Sequence, residues 1–164
     1  MIRRPLPGVP GALFLHSIPG RWETLEEFRE GVEAERLTSI IVLLEDAEIA
    51  HRSPGYAELL AESPPWLPPR RRVPMEDFGT PLDGPDAFVA AARAVATDLR
   101  EGGRILVHCA GGVGRTGVFA VAVLLALGES MPRALERVHA AGSHPESDEQ
   151  REFLASIADA LRLE

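Results

Sequence analysis

The chain has 164 residues, 45% of them hydrophobic, and a formal net charge of −8, which predicts one well-buried domain over residues 1–164 rather than two. The acidic balance argues against a general nucleic-acid binder, whose affinity rests on clustered positive charge, so an anionic ligand has to be caught locally. One cysteine and no lysine exclude an internal disulfide framework, a cysteine-rich zinc site, Schiff-base chemistry and the lysine of a Walker A nucleotide site.

In chain order, the opening MIRRPLPGVPGALFLH begins with a basic pair, but proline and glycine interrupt its apolar part. It predicts neither a signal peptide nor a membrane span, and with a single thiol the expected location is the cytoplasm. Ala12 to Ile18 reads as a first strand. Thr24 and Glu27 form a capping-box pattern ahead of a helical stripe of Leu25, Phe28 and Val32. Thr38 to Leu44 is a continuous, β-branched apolar run, the pattern of a strand covered on both faces. A short helix follows, GYAELLAES is weakly helical, and PPWLPP makes a rigid connection.

The segment from Arg70 predicts a third strand running into a loop. Asp83 is then the expected cap of a helix that begins near Pro85 and buries Phe88, Ala91, Ala92, Val95 and Leu99. RILVH is a central strand and RTGVFAVAVLLAL a buried helix. MPRALERVHAAG has proline near a helix start and glycine past its end. A last helix is capped by Ser147 and Gln150, with Phe153, Leu154, Ile157 and Leu161 inward. This alternation predicts an α/β fold, a mostly parallel central sheet flanked by helices.

The chain's one thiol, Cys109, lies between the strand RILVH and that buried helix, in HCAGGVGRT. A glycine-rich turn entering a helix can aim backbone N–H groups at one point, where the helix dipole adds positive charge. Gly111, Gly112 and Gly114 permit the close approach, and Arg115 offers a planar fork for two phosphate oxygens. A thiol opening such a cradle is favoured as the thiolate. Gly112, Gly114 and Gly117 also spell the dinucleotide fingerprint GxGxxG. However, that unit should continue into a second parallel strand, whereas here another helix follows, and the fingerprint leaves Cys109 and Arg115 unexplained.

As H-C-x-x-G-x-x-R-T, the loop resembles the signature of the cysteine-dependent protein tyrosine and dual-specificity phosphatase superfamily. Residue type, spacing and strand-loop-helix context all agree. The resemblance implies a phosphate-binding loop between a central strand and a helix, with Cys109 as the nucleophile that forms a phosphocysteine and Arg115 holding the phosphoryl oxygens. Thr116 would donate to the sulfur, Ala110, Gly111, Gly112, Val113 and Gly114 would bind phosphate, and His108 would set the loop and the thiol. His108 has an equally good reading as a hydrogen-bonded structural histidine, and Thr116 as a helix-end group. No metal or cofactor is implied.

Ester cleavage needs a proton for the leaving oxygen, and Glu76, Asp77 and Asp83 are the candidates. MEDFGTP resembles the family's general-acid loop and favours Asp77, with Glu76 one position away as the alternative. GSHPESDEQREF resembles the segment ending in a glutamine near the attacking water. Gln150 occupies that place, and it is equally the third residue of a capping box with Ser147.

The chain lacks the extra N-terminal motifs of large tyrosine-specific phosphatases and is similar to the compact dual-specificity branch. The implied partner is a phosphorylated protein carrying phosphotyrosine, with phosphoserine and phosphothreonine as further candidates, and no nucleic acid or membrane. The loop itself has no extra cation for a second phosphate, which disfavours inositol polyphosphates and phosphoinositides. Arg70, Arg71 and Arg72 are either a substrate-facing rim or a solvated face. A phospho-residue binding module without turnover and an RNA 5′-phosphatase are the competing functions.

Overall fold

The structure, a computed structural model, describes residues 4–162. Met1 to Arg3, part of the N-terminal stretch and its basic pair, and the last two residues of the expected domain lie outside that range. Four strands, β1 (Ala12–His16), β2 (Ser39–Val42), β3 (Arg70–Arg72) and β4 (Arg104–His108), form one sheet. Its order is β1-β4-β2-β3 and every pairing is parallel, so the expected mostly parallel sheet is wholly so. Among the described residues the helices are α1 (Leu25–Ala34), α2 (Asp46–Arg52), α3 (Pro54–Glu62), α4 (Pro85–Arg100), α5 (Gly114–Ala126), α6 (Met131–Ala140) and α7 (Asp148–Arg162).

The apolar runs form strands buried on both faces because alternate residues enter different cores. Leu13, Leu15, Ile41, Ile105 and Val107 pack with α4, α5, α6 and α7 on one side, while Phe14, Ile40, Val42 and Leu106 meet Phe28, Ile49 and Tyr56 on the other. Thr24 closes the expected capping box, with Thr24 Oγ1 accepting from Glu27 N–H at 3.0 Å and Glu27 accepting from Thr24 N–H at 2.9 Å.

One local expectation needs correction. Asp83 does not cap α4. The residue before Pro85 is Gly84, whose φ of 87° turns the chain into the helix with no side-chain cap. The third strand forms as expected from Arg70, three residues long, an arginine edge strand that runs into the acidic loop.

Registers put the ends of the strands at one level: His108 lies opposite both His16 and Val42, and Val42 opposite Arg72. The loops leaving all four strands therefore open on the same edge, outside the carboxyl ends of a parallel sheet, where α/β folds bind ligands.

Candidate active site

β4 delivers Cys109 to this edge, and α5 begins five residues later at Gly114. The loop between them is fixed from outside by its carbonyls. Ala110 C=O accepts from Ile18 N–H at 3.0 Å, and Val113 C=O from Gly117 and His144 N–H. Gly112 C=O accepts from Arg4 at 2.6 Å and from the Ser143 hydroxyl at 2.7 Å. With those oxygens held by the scaffold, the loop can present donors to an anion, and the first-turn N–H groups of α5 have no partner within the helix.

Gly112 has a φ of 75°, and a Cβ there would meet the His16 carbonyl at 2.7 Å. Gly117 has a different reason: a Cβ would lie 2.6 Å from His144 N, so this glycine lets α5 pack against the 143–146 segment. The third glycine of the GxGxxG pattern is thus a packing residue, and the next element after α5 is helical.

Cys109 Sγ accepts two hydrogen bonds, from Gly112 N–H at 3.2 Å and from the Thr116 hydroxyl at 3.1 Å. His108 is fully buried, and burial pushes its imidazole down to about 3, so the ring is neutral. Its Nδ1 lies 3.2 Å from the Cys109 carbonyl, which can only accept, so Nδ1 holds the proton. Nε2 then accepts from the Tyr56 hydroxyl at 2.9 Å. Burial also raises the Tyr56 hydroxyl, keeping it a neutral donor. His108 fixes the Cys109 backbone rather than bringing charge to the thiol.

The Arg115 side chain is 2% exposed. Its guanidinium donates to both Glu48 carboxylate oxygens, at 2.8 and 2.9 Å, and to the Met75 carbonyl at 3.2 Å. Burial alone would lower its basicity, but the hydrogen bonds and charge of Glu48 outweigh that and hold it above its usual value. In return, the hydrogen bonds from Arg115 hold Glu48 below the usual carboxylate value, against the upward pull of burial.

Asp77 comes from the loop after β3, with Oδ1 3.5 Å from Arg115 and Oδ2 3.9 Å from Arg52. Cys109, Arg115 and Asp77 line a common cavity of about 210 Å³, together with Ala110, Gly111, Val113, Gly114, Arg21, Arg52, Phe78 and Glu146. Gly112 meets it through its N–H on the sulfur. Glu76 does not line the cavity; its side chain folds against Gly79. Of the two neighbours it is Asp77, the one favoured by the sequence, that lines the cavity.

Gln150 is buried behind the cavity and is not part of its lining. Its Oε1 accepts from Glu146 N–H at 2.7 Å, one residue before Ser147, while Ser147 Oγ accepts from Gln150 N–H at 3.1 Å. Only half of the expected box therefore forms with Ser147. Gln150 Nε2 is buried without a hydrogen-bond partner among the described residues.

A family model described as PTP-SAK, the Swiss Army Knife protein DSP-PTPase phosphatase domain, matches residues 19–159. The chain belongs to this family. The phosphatase has no significant match among curated protein sequences. Among solved structures it is similar to Tk-PTP in its active form, at 26% identity and TM-score 0.70, covering 99% of this chain and 100% of that one. Kinase associated phosphatase with serine in place of its catalytic-site cysteine matches at 21% identity and TM-score 0.76, covering 93% and 89%. PTPMT1 in complex with PI(5)P matches at 17% and 0.70, covering 91% of each chain.

Several residues around the phosphatase cavity are not legible from motif spacing. Glu48 and Arg52 sit on α2 and Arg21 follows β1; the one available signal was that each lies just past a strand in a parallel α/β pattern. Arg21 and Arg52 bring cations to the cavity from outside the 109–115 loop, whose own residues between Cys109 and Arg115 carry none. The Arg70–Arg72 run does not line the cavity: Arg70 binds Ser63 and carbonyls of 60 and 68, and Arg72 pairs with Asp46 at 2.7 Å. No group of three His, Cys, Asp or Glu among the described residues could hold a metal, and no described helix is long and apolar enough to cross a membrane.

Proposed function

We propose that the protein hydrolyses phosphate monoesters on cytoplasmic proteins, phosphotyrosine foremost, through a phosphocysteine at Cys109. The observation that supports this most is one sulfur with two donors aimed at it, in a cavity shared with a buried guanidinium and a half-exposed carboxyl. The two donors and the start of α5 turn partial positive charge toward the sulfur.

In the first step Cys109 Sγ attacks phosphorus, the bond from phosphorus to the ester oxygen breaks, and Asp77 gives its proton to that oxygen. Arg115 and the N–H groups of the 110–115 segment hold the non-bridging oxygens as charge develops on them. In the second step water attacks phosphorus, Asp77 takes a proton from it, and the S–P bond breaks, releasing phosphate. The Thr116 hydroxyl stabilises the departing sulfur. No cofactor enters either step. For Gln150, expected near that water, the support is indirect: it is buried outside the lining and holds the Glu146 N–H, and Glu146 lines the cavity. The exposed Phe78 ring at the cavity mouth suits an aromatic ester, which is the ground for placing phosphotyrosine ahead of phosphoserine and phosphothreonine.

A second reading, a phosphoinositide substrate, is favoured by Arg21 and Arg52 at the cavity, which could meet a second phosphate. The test is release of p-nitrophenol from p-nitrophenyl phosphate in EDTA by wild type and Cys109→Ser, with mass spectrometry for the trapped phosphocysteine. Turnover lost in Cys109→Ser, with the adduct on wild type, is the expected result. Folded wild type that binds phosphate without turnover would instead favour a binding module. A panel of phosphotyrosine peptides and short-chain phosphoinositides then separates the two substrate readings.

A further inference from the structure

We infer that Ser147 is a positioning residue for the proton transfer, a tether that holds the Asp77 loop onto the start of α7; this rests on the phosphatase reading above. The Ser147 hydroxyl accepts from Gln150 N–H at 3.1 Å and lies 2.7 Å from the Phe78 carbonyl. A hydroxyl has one proton and a carbonyl can only accept, so that proton goes to Phe78, 69 residues away in sequence.

Phe78 directly follows Asp77, and its φ of 58° lies in the left-handed region. A bulky side chain holds that conformation only where the surroundings impose it, and such sites concentrate where function requires a particular geometry. Residues 76–80 make two hydrogen bonds among themselves, Glu76 N–H to Thr80 and Gly79 N–H to Glu76. Among the described residues, the Ser147 bond is the one hydrogen bond from this turn to another part of the fold. The ion pairs of Asp77, at 3.5 and 3.9 Å, are longer than hydrogen bonds and its side chain is 47% exposed, so they are weak restraints. Freed from Ser147, Phe78 can leave the left-handed region, and the backbone turn that aims Asp77 at the cavity goes with it.

Ser147 also caps α7, so the test has to separate the two roles. Ser147→Asp keeps a good cap acceptor and cannot donate, Ser147→Ala loses both, and Ser147→Thr keeps both. Each variant of the full chain is assayed with phenyl phosphate, whose leaving group needs a proton, and with 2,4-dinitrophenyl phosphate, whose leaving group does not; thermal unfolding is followed alongside. For Ser147→Asp and Ser147→Ala the expected loss in kcat/KM, which reads only the steps up to departure of the leaving group, is about tenfold or more on phenyl phosphate and below about twofold on the dinitrophenyl ester, with Ser147→Thr near wild type on both. Equal losses on the two esters, or an unchanged ratio in both variants that cannot donate, would overturn the tether and leave the phosphatase reading standing. Wild type inert on both esters would overturn that reading and the tether with it.

Discussion

Replacing Glu48 by Gln removes the charge that faces the buried Arg115 guanidinium while keeping the side chain's length. Both carboxylate oxygens accept from Arg115; an amide can offer one oxygen and turns an NH₂ group toward the other N–H. At an effective dielectric of about 20, unit charges about 4 Å apart attract by about 4 kcal/mol. The Glu48 side chain is 22% exposed and regains some hydration when the pair breaks, and one hydrogen bond survives, so the net loss is about 2 kcal/mol. For a chain of this size that lowers Tm by about 4–8 °C.

Acid supplies the internal control. Arg115 holds the Glu48 carboxyl below its ordinary 4.5, so the folded protein keeps it ionised at pH values where the unfolded chain protonates it. Its contribution to stability is therefore full above pH 4.5 and disappears as pH falls through the depressed folded value. Urea unfolding of wild type and Glu48→Gln should show the full gap near neutrality and a shrinking gap below pH 4.5. A gap that is absent at neutral pH, or equally large throughout the acid range, would refute the argument.

Asp77→Asn should lower kcat/KM on phenyl phosphate by about 10²- to 10⁴-fold and spare kcat/KM on the dinitrophenyl ester, read from steady-state rates. Tyr56→Phe removes the donor to His108 Nε2 and leaves a buried acceptor unpaired, which should cost about 1–3 kcal/mol in urea unfolding. Gly117→Ala puts a methyl group 2.6 Å from His144 N, and thermal melts should show a loss of about 1–3 kcal/mol from overpacking.

What could be read from the sequence was what is written locally. The β4-loop-α5 passage is a continuous apolar run, a glycine turn and a second apolar run, so Cys109, Arg115 and Thr116 could be placed before any coordinates. β1 and β2 were legible for the same reason, and β3 was expected from Arg70, although its three arginines on a sheet edge carry no apolar alternation to mark where it ends. Asp77 was favoured over Glu76 by the resemblance of MEDFGTP alone, because a turn has no period and a shift of one residue changes no pattern. Asp83 misled because the residue after it, Gly84, takes the cap position through its own φ. Glu48, Arg52 and Arg21 reach the site through the order of strands in the sheet, which neither their neighbours in sequence nor any spacing records.

From Gly114 to Leu125 every residue of α5 is buried, with β4, α4, α6 and α7 around it, and the Cys109 loop leads directly into its first turn, which carries Arg115. Such a helix behaves as a rigid shaft whose far end, at Leu124 and Leu125, lies deep in the larger core. A substitution there that loosens packing displaces the whole shaft before it unfolds anything, and the displacement arrives at Arg115 as lost alignment. Along this helix, drift in the core and drift in catalytic competence are one heritable trait. Sequence change that spares the chemistry has to accumulate on the solvent faces of the helices around it.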